Sequence, residues 1–233
     1  MKKSIQRLIL TAVFILVTAA FGALAMYVSK SQDPETFLKT KLLDKDEKVS
    51  KAFFSPDDHV KDILLELIHA EKKRIALAIF TFTEKDIAQA LIEAYARGVI
   101  IEIVADRGYG ADKFSRIPQL ANYKIPIWIY QTSDDERQSS LMHDKFCIFE
   151  DNFLHKSLLW TGSYNFTRRA TLSNQENVII LDTPQIIERF TNQFNILKDR
   201  SLLISGKPRP HQKEQEEFKI SWLEKIAFLL GWS

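Results

Sequence analysis

Residues 74–105 constrain the fold more tightly than any other stretch. Arg74 to Phe82 is an apolar run with β-branched residues and the length of a buried strand. Glu84 to Arg97 then changes period. Ile87, Ala88, Leu91, Ile92 and Tyr95 fall on one face of a helix, and Gly98 supplies its C-terminal stop. Val99 to Ala105 returns to a buried strand. A strand, a helix and a strand at this spacing form a βαβ unit, because parallel neighbours need a crossover of about this length. The chain is therefore expected to be α/β, with a mixed, largely parallel sheet flanked by helices.

The flanking elements follow from the same two periods. Ser55-Pro56-Asp57-Asp58 offers N-cap chemistry for a helix reaching about Lys73, with Val60, Ile63, Leu64, Leu67 and Ile68 inward. Ile125 to Tyr130 reads as a short strand and residues 131–140 as a polar loop. Further strands are expected at Met142–Phe149, Ser157–Thr161 and Asn177–Leu181, and a helix from about Pro184 to Leu197. The catalytic-looking segment is not repeated. Seven glycines and seven prolines in 233 residues exclude collagen-like and low-complexity classes. A net charge of +2 gives no bulk argument for nucleic-acid binding, although it leaves room for a local basic patch. The single cysteine, Cys147, rules out an intrachain disulfide and a cysteine zinc site, and its apolar neighbours place it in the core.

The two ends differ from this body. Lys2, Lys3 and Arg7 precede 21 uncharged residues, Leu8 to Val28. At about 1.5 Å per residue such a helix spans roughly 31 Å, the thickness of a bilayer core. Basic residues before it, with Asp33 and Glu35 after it, orient the N-terminus inward and the rest outward. Ala23-Leu24-Ala25 is also a signal-peptidase pattern, so an uncleaved anchor and a cleaved signal both fit. The expected location is membrane-anchored with the catalytic domain outside the cytosol, or secreted if cleaved. Residues 30–50 read as a linker after the 1–29 segment, residues 51–204 as the domain, and 205–233 as a linker plus an amphipathic helix. In that helix Phe218, Trp222, Ile226 and Leu230 share a face suited to docking, self-association or a membrane surface.

Chemistry concentrates in residues 142–182. Side chains two apart on a strand share a face, so His143 and Lys145 project together while Phe146 and Ile148 point away. An imidazole can attack or carry a proton near neutral pH, and an ammonium can hold phosphoryl oxygens. Gly162-Ser163 ends a strand at a tight turn, offering a hydroxyl and an approachable backbone, and Asn165 adds an amide donor. His143-Asp144-Lys145, four residues, Glu150, then Gly162-Ser163-Tyr164-Asn165 closely resembles the HxKx4Dx6GSxN signature of the phospholipase D superfamily. Position 150 carries glutamate where that signature has aspartate, and eleven residues instead of six precede the glycine. The longer gap is similar to that of the single-motif bacterial nucleases of the superfamily. The similarity extends over about residues 52–200, including Phe53-Phe54-Ser55-Pro56-Asp57-Asp58, Ala96-Arg97-Gly98-Val99, Asp106 and Gln175-Glu176-Asn177.

The resemblance implies a phospholipase D-like fold and a role for each matching residue. His143 is the nucleophile of a phosphohistidine intermediate, or the twin that protonates the leaving oxygen. Lys145 and Asn165 bind phosphate, Ser163 supports them, Glu176 orients the histidine, and Glu150 supports through an ion pair. It implies no metal and no cofactor. Members build one site from two motifs, so a single motif implies a homodimer with its two His143 side chains facing across the axis. His59-Val60-Lys61, with Glu66, repeats the tripeptide spacing but falls on a helix, where residues two apart diverge by about 200°. For substrate, short single-motif members point to a nuclease, with Arg168 and Arg169 beside Asn165 placed for flanking phosphates; a solvated turn is their plain alternative. The anchor and apolar tail suit a phospholipase acting on membrane lipids, and Glu150 leaves room for a silent binding module.

Overall fold

A computed structural model describes residues 33–131 and 140–206. In chain order these form α1 (Pro34–Leu42), β1 (Ser50–Ser55), α2 (Val60–Ala70), β2 (Arg74–Ile79) and α3 (Lys85–Ala96). There follow β3 (Ile100–Ala105), the short α4 (Arg107–Gly110) and α5 (Ile117–Asn122), β4 (Ile127–Tyr130), β5 (Lys145–Phe149) and β6 (Leu158–Gly162). The last elements are α6 (Arg168–Leu172), β7 (Glu176–Leu181), α7 (Pro184–Asp199) and β8 (Ser201–Ser205). The strands make one eight-stranded sheet in the order β1-β7-β6-β5-β2-β3-β4-β8.

The central strand β2 explains why the sheet is covered on both faces. Ile75, Leu77 and Ile79 enter one core with Ile63, Leu67 and Leu91 of α2 and α3. Ala76 and Ala78 point the other way, into a second core with Phe146, Phe194 and Leu197. The small alanines leave room for the two aromatic rings, whose centroids lie 6.5 Å apart. Truncating Phe194 to alanine would cost about 3–5 kcal/mol on this reading. Across the same face, Glu102 of β3 receives Arg74 of β2 at 2.6 Å and Lys198 of α7 at 2.8 Å. Burial works against the charge of Glu102, but Arg74 and then Lys198 outweigh it and hold the carboxyl below its usual range.

The expected βαβ unit is present, with Glu84 as the α3 N-cap and Gly98 at φ +100°. Three expectations need correction. The sheet is mixed but not largely parallel: only β2–β3 and β3–β4 are parallel, and five pairings are antiparallel. After β4 the pairings turn antiparallel: β5–β6 returns as a hairpin and β1 and β8 add antiparallel edges, while α7 carries the chain back across the sheet from β7 to β8. Residues 34–42, inside the expected linker, fold as α1 and bury Leu38 and Leu42 in the main core. The α2 cap is not Ser55 or an aspartate but His59 at φ 53°, ψ 43°; Asp58 instead accepts the Phe54 amide at 2.8 Å. Cys147 is buried in the core, and burial pushes its thiol pKa up, away from reactivity. No helix among the described residues is long and apolar enough to cross a membrane. The segment 8–28, most of the polar loop and the amphipathic tail lie outside the described residues.

Candidate active site

Strand register gathers the motif at one end of the central strands. Lys145 opens β5 opposite Ile79, the last residue of β2. Phe146 lies opposite Thr161, and Gly162 closes β6 opposite Val178 of β7. The ends of β2 and β6 and the starts of β5 and β7 therefore coincide, and the loops carrying His143, Ser163 and Asn165 gather at that end around the candidate cleft.

His143 stands two residues ahead of β5, in the lead-in rather than in the strand itself. The pair nevertheless meets as alternation requires, with Lys145 Nζ 3.1 Å from His143 Nδ1 and donating to the His143 carbonyl at 2.5 Å. Phe80 forms the floor. Its ring lies 4.3 Å from the His143 ring and 4.3 Å from that of Tyr109, and Lys145 Nζ sits 5.0 Å from its centroid. His143 is exposed whereas Lys145 is only 5% exposed, so the imidazole is presented and the ammonium is held beneath it. Burial lowers the Lys145 pKa, with the Asp144 and Glu176 carboxylates pulling it partly back. Lys145 uses two donors on His143; its third N–H has no partner among the described residues.

The Gly-Ser-x-Asn half is equally constrained. A Cβ at Gly162 would stand 2.0 Å from the Asn177 carbonyl, so glycine is required by the close approach of β6 and β7. Ser163 N donates to both the backbone and side-chain oxygens of Asn177 at 3.0 Å. Ser163 Oγ donates to Glu176 Oε2 at 2.6 Å and accepts from Asn177 N at 3.0 Å, while Asn174 Nδ2 reaches Glu176 Oε1 at 2.9 Å. Asn165 Oδ1 accepts the Thr81 amide at 3.1 Å. That bond fixes the amide orientation and leaves its Nδ2 donors unengaged among the described residues.

Not every expected site residue joins this cluster. Glu150 follows the far end of β5, about 16 Å along the strand from Lys145, and pairs with Lys73 at 2.5 Å. Its ion pair closes the opposite end of the sheet. Glu176 reaches the site, but its carboxylate is held by Ser163 and Asn174; within one chain the group on the His143 ring is Lys145. Arg168 and Arg169 are exposed in the first turn of α6, without side-chain partners among the described residues.

Sequence reasoning gave no role to Asp106 or Phe80. Asp106 is 3% exposed, accepts Gly108 N at 2.9 Å and Tyr109 N at 3.2 Å through Oδ1, and accepts Met142 N at 3.1 Å through Oδ2. It thus clamps the Tyr109 loop to the lead-in that carries His143. The available signal was a carboxylate directly after a buried strand, where charge needs several donors.

A family model described as the PLD-like domain of cardiolipin synthase matches residues 64–198. The chain belongs to the phospholipase D superfamily. Within it, a phospholipase D of Rickettsia conorii is 33% identical over 147 residues, covering 63% of this chain and 68% of that protein. A mitochondrial cardiolipin hydrolase of Chlamydomonas reinhardtii is 29% identical over 135 residues, 58% of this chain and 56% of the relative. The chain thus spans little more than half the length of that relative. Among solved structures, the phospholipase D family member Nuc from Salmonella typhimurium superposes with a TM-score of 0.59 at 26% identity, over 69% of this chain and all of Nuc. NucT from Helicobacter pylori shares the fold at the same TM-score and 21% identity, over 68% of this chain.

Proposed function

We propose that this chain is a phosphodiesterase of the phospholipase D superfamily that hydrolyses nucleic-acid backbones through a phosphohistidine intermediate. The observation that carries the reading is the His143–Lys145 pair, an exposed imidazole over a buried ammonium, beside the free amide donors of Asn165. Lys145 and Asn165 supply fixed donors where charge grows on the phosphoryl oxygens. His143 Nε2 forms the P–N bond as the P–O bond to the leaving group breaks. The leaving oxygen takes a proton from His143 of the partner subunit. That same imidazole then removes a proton from water, whose oxygen attacks phosphorus and releases His143. The scheme needs two imidazoles and each chain supplies one at the cleft, so a twofold homodimer belongs to the proposal. Side-chain charge replaces a metal ion in it.

The exposed Arg168 and Arg169, with Tyr109 at 45% exposure on the cleft rim, favour a polyanion with stacking bases over a single lipid headgroup. A lipid-cleaving reading is favoured by a different observation, the names phospholipase D and cardiolipin hydrolase among the relatives. Single-stranded DNA, RNA and cardiolipin vesicles offered to the full chain in EDTA separate the two. Nucleic-acid cleavage that survives chelation and disappears in His143→Ala is the expected result. Turnover of lipid alone, or cleavage retained in the variant, rejects it.

A further inference from the structure

Three chain segments leave the sheet side by side at the cleft end. Ile79, the last residue of β2, stands between Lys145 of β5 on one side and Ala105 of β3 on the other. Phe80 follows Ile79, Tyr109 lies four residues past Ala105, and His143 precedes Lys145 by two. Neighbouring strands run about 4.7–4.9 Å apart. Rings carried just beyond three adjacent strands can therefore meet at van der Waals spacing along that row. Tyr109, Phe80 and His143 do so: the Phe80 centroid lies 4.3 Å from each of the other two, at interplanar angles of 53° and 59°. The spacing of the sheet sets the spacing of the rings.

Phe80 is the rung with no other task. It follows five buried residues of the central strand, yet it belongs to neither hydrophobic core. Its half-buried ring meets Tyr109, His143 and, at 5.0 Å, the Lys145 ammonium. The row is also pinned. Asp106 accepts the amides of Tyr109 and Met142, which holds its two ends together. In the middle, Thr81 donates its amide to Asn165 Oδ1 at 3.1 Å and accepts the Phe166 amide at 3.1 Å, so the backbone carrying Phe80 is tied to the Gly-Ser-x-Asn half.

An exposed imidazole has several staggered χ1 wells and a broad χ2. Attack on phosphorus tolerates little of that freedom, since a misplacement of about 1 Å costs roughly 10²-fold in rate. Lys145 selects the nitrogen: its Nζ lies 3.1 Å from Nδ1, and Nε2 has no partner among the described residues. One hydrogen bond leaves the plane of the ring free to swing. We infer that Phe80 is a positioning residue that fixes this plane, closing one face of the imidazole so that Nε2 meets phosphorus from a single direction. The catalytic consequence rests on the phosphodiesterase reading above; the placement of the ring does not. Because Phe80 acts through His143, its removal falls on kcat rather than on KM. Because a flat face is what the imidazole needs, tyrosine can replace phenylalanine and leucine cannot.

The test compares the full chain with Phe80→Leu and Phe80→Tyr. In chains carrying ¹³C-labelled histidine, the His143 ring signal, assigned by its loss in His143→Ala, should be displaced from that of His59, whose side chain is 80% exposed. The displacement comes from the ring current of Phe80. It should collapse in Phe80→Leu and persist in Phe80→Tyr. On bis(p-nitrophenyl) phosphate in EDTA, Phe80→Leu should lose about tenfold in kcat with KM little changed, and Phe80→Tyr should restore most of the loss. Since Phe80 lies outside both cores, the leucine variant should melt within about 4 °C of the parent. A His143 signal that does not move in Phe80→Leu overturns the inference. So does full kcat in that variant, a loss confined to KM, a loss that tyrosine does not restore, or a leucine variant that fails to fold. A parent chain that leaves the diester uncut sinks the phosphodiesterase reading alone, and the His143 signal still decides where Phe80 holds the ring.

Discussion

The sequence contains two His-x-Lys tripeptides, and the contrast between them shows what the one proposed as catalytic requires. At His59-Val60-Lys61 the histidine caps a helix in left-handed conformation with 80% of its side chain exposed. Lys61 turns away to Asp86 at 2.7 Å, which raises its pKa. At His143-Asp144-Lys145 the chain leads into β5, and the same two residue types converge to 3.1 Å over an aromatic floor. The difference is not composition or spacing but the local backbone: one tripeptide opens a helix behind a left-handed cap, and the other leads into a strand. A second difference is support. Asp106 pins the backbone just before His143, while nothing but solvent and Asp62 faces His59 among the described residues.

The sharpest way to break this comparison is to remove each imidazole in turn. His143→Ala should lower turnover by about 10³-fold or more, because attack and leaving-group protonation both use it. His59→Ala should leave the rate unchanged; equal losses from the two variants would void the contrast. Replacing the lysines comes next. Lys145→Met should cost about 10²-fold in rate by removing charge at the phosphoryl oxygens, whereas Lys61→Met should cost under ~1 kcal/mol of stability and no rate.

Lys145→Met also separates activity from stability. Burial lowers the Lys145 pKa below its ordinary 10.5, so the folded chain holds that proton less tightly than the unfolded chain. The resulting destabilisation is fully present below the folded-state pKa and fades as pH rises toward the unfolded value. At neutral pH the methionine variant should therefore melt no lower than the parent, and the parent should gain on it in alkaline solution. Thermal denaturation across pH 7–10.5 reads this directly.

Smaller effects sharpen the support argument. Asp106→Asn places an amide where the Met142 N–H needs an acceptor, or takes the acceptor from the Tyr109 turn, at about 1–3 kcal/mol. Its rate should fall roughly tenfold with substrate affinity little changed, measured as kcat against KM. Glu150→Gln should be smallest, under ~1 kcal/mol in melting and indistinguishable in rate, because its pair with Lys73 is partly solvated and sits at the other end of β5.

Much of the architecture was legible because periodic patterns are local. β2 and α3 carry clear apolar patterns, β3 carries one interrupted only by Glu102, and Gly98 punctuates them. The edge strands were not legible: β1 alternates through exposed Ala52 and Phe54, and the apolar run of β8, Leu202 to Ile204, is only three residues long and exposed. Strand direction was misjudged for a related reason, since an apolar run does not record which way its neighbour runs. In the site, His143, Lys145, Ser163 and Asn165 were found from short-range spacing, and register brought them together. Asp106 and Phe80 act through residues 36 and 63 positions away, beyond any local pattern. Glu150 was assigned by its place in a motif, but five residues of extended chain carry it out of the cleft.

The most direct test of the central claim is to trap the covalent species. The full chain, mixed with an oligonucleotide radiolabelled at its internal phosphates and quenched in alkali during turnover, should carry the labelled phosphorus on the peptide containing His143 and none on the peptide containing His59. Full turnover with no adduct at His143, or with the label elsewhere, would contradict the account.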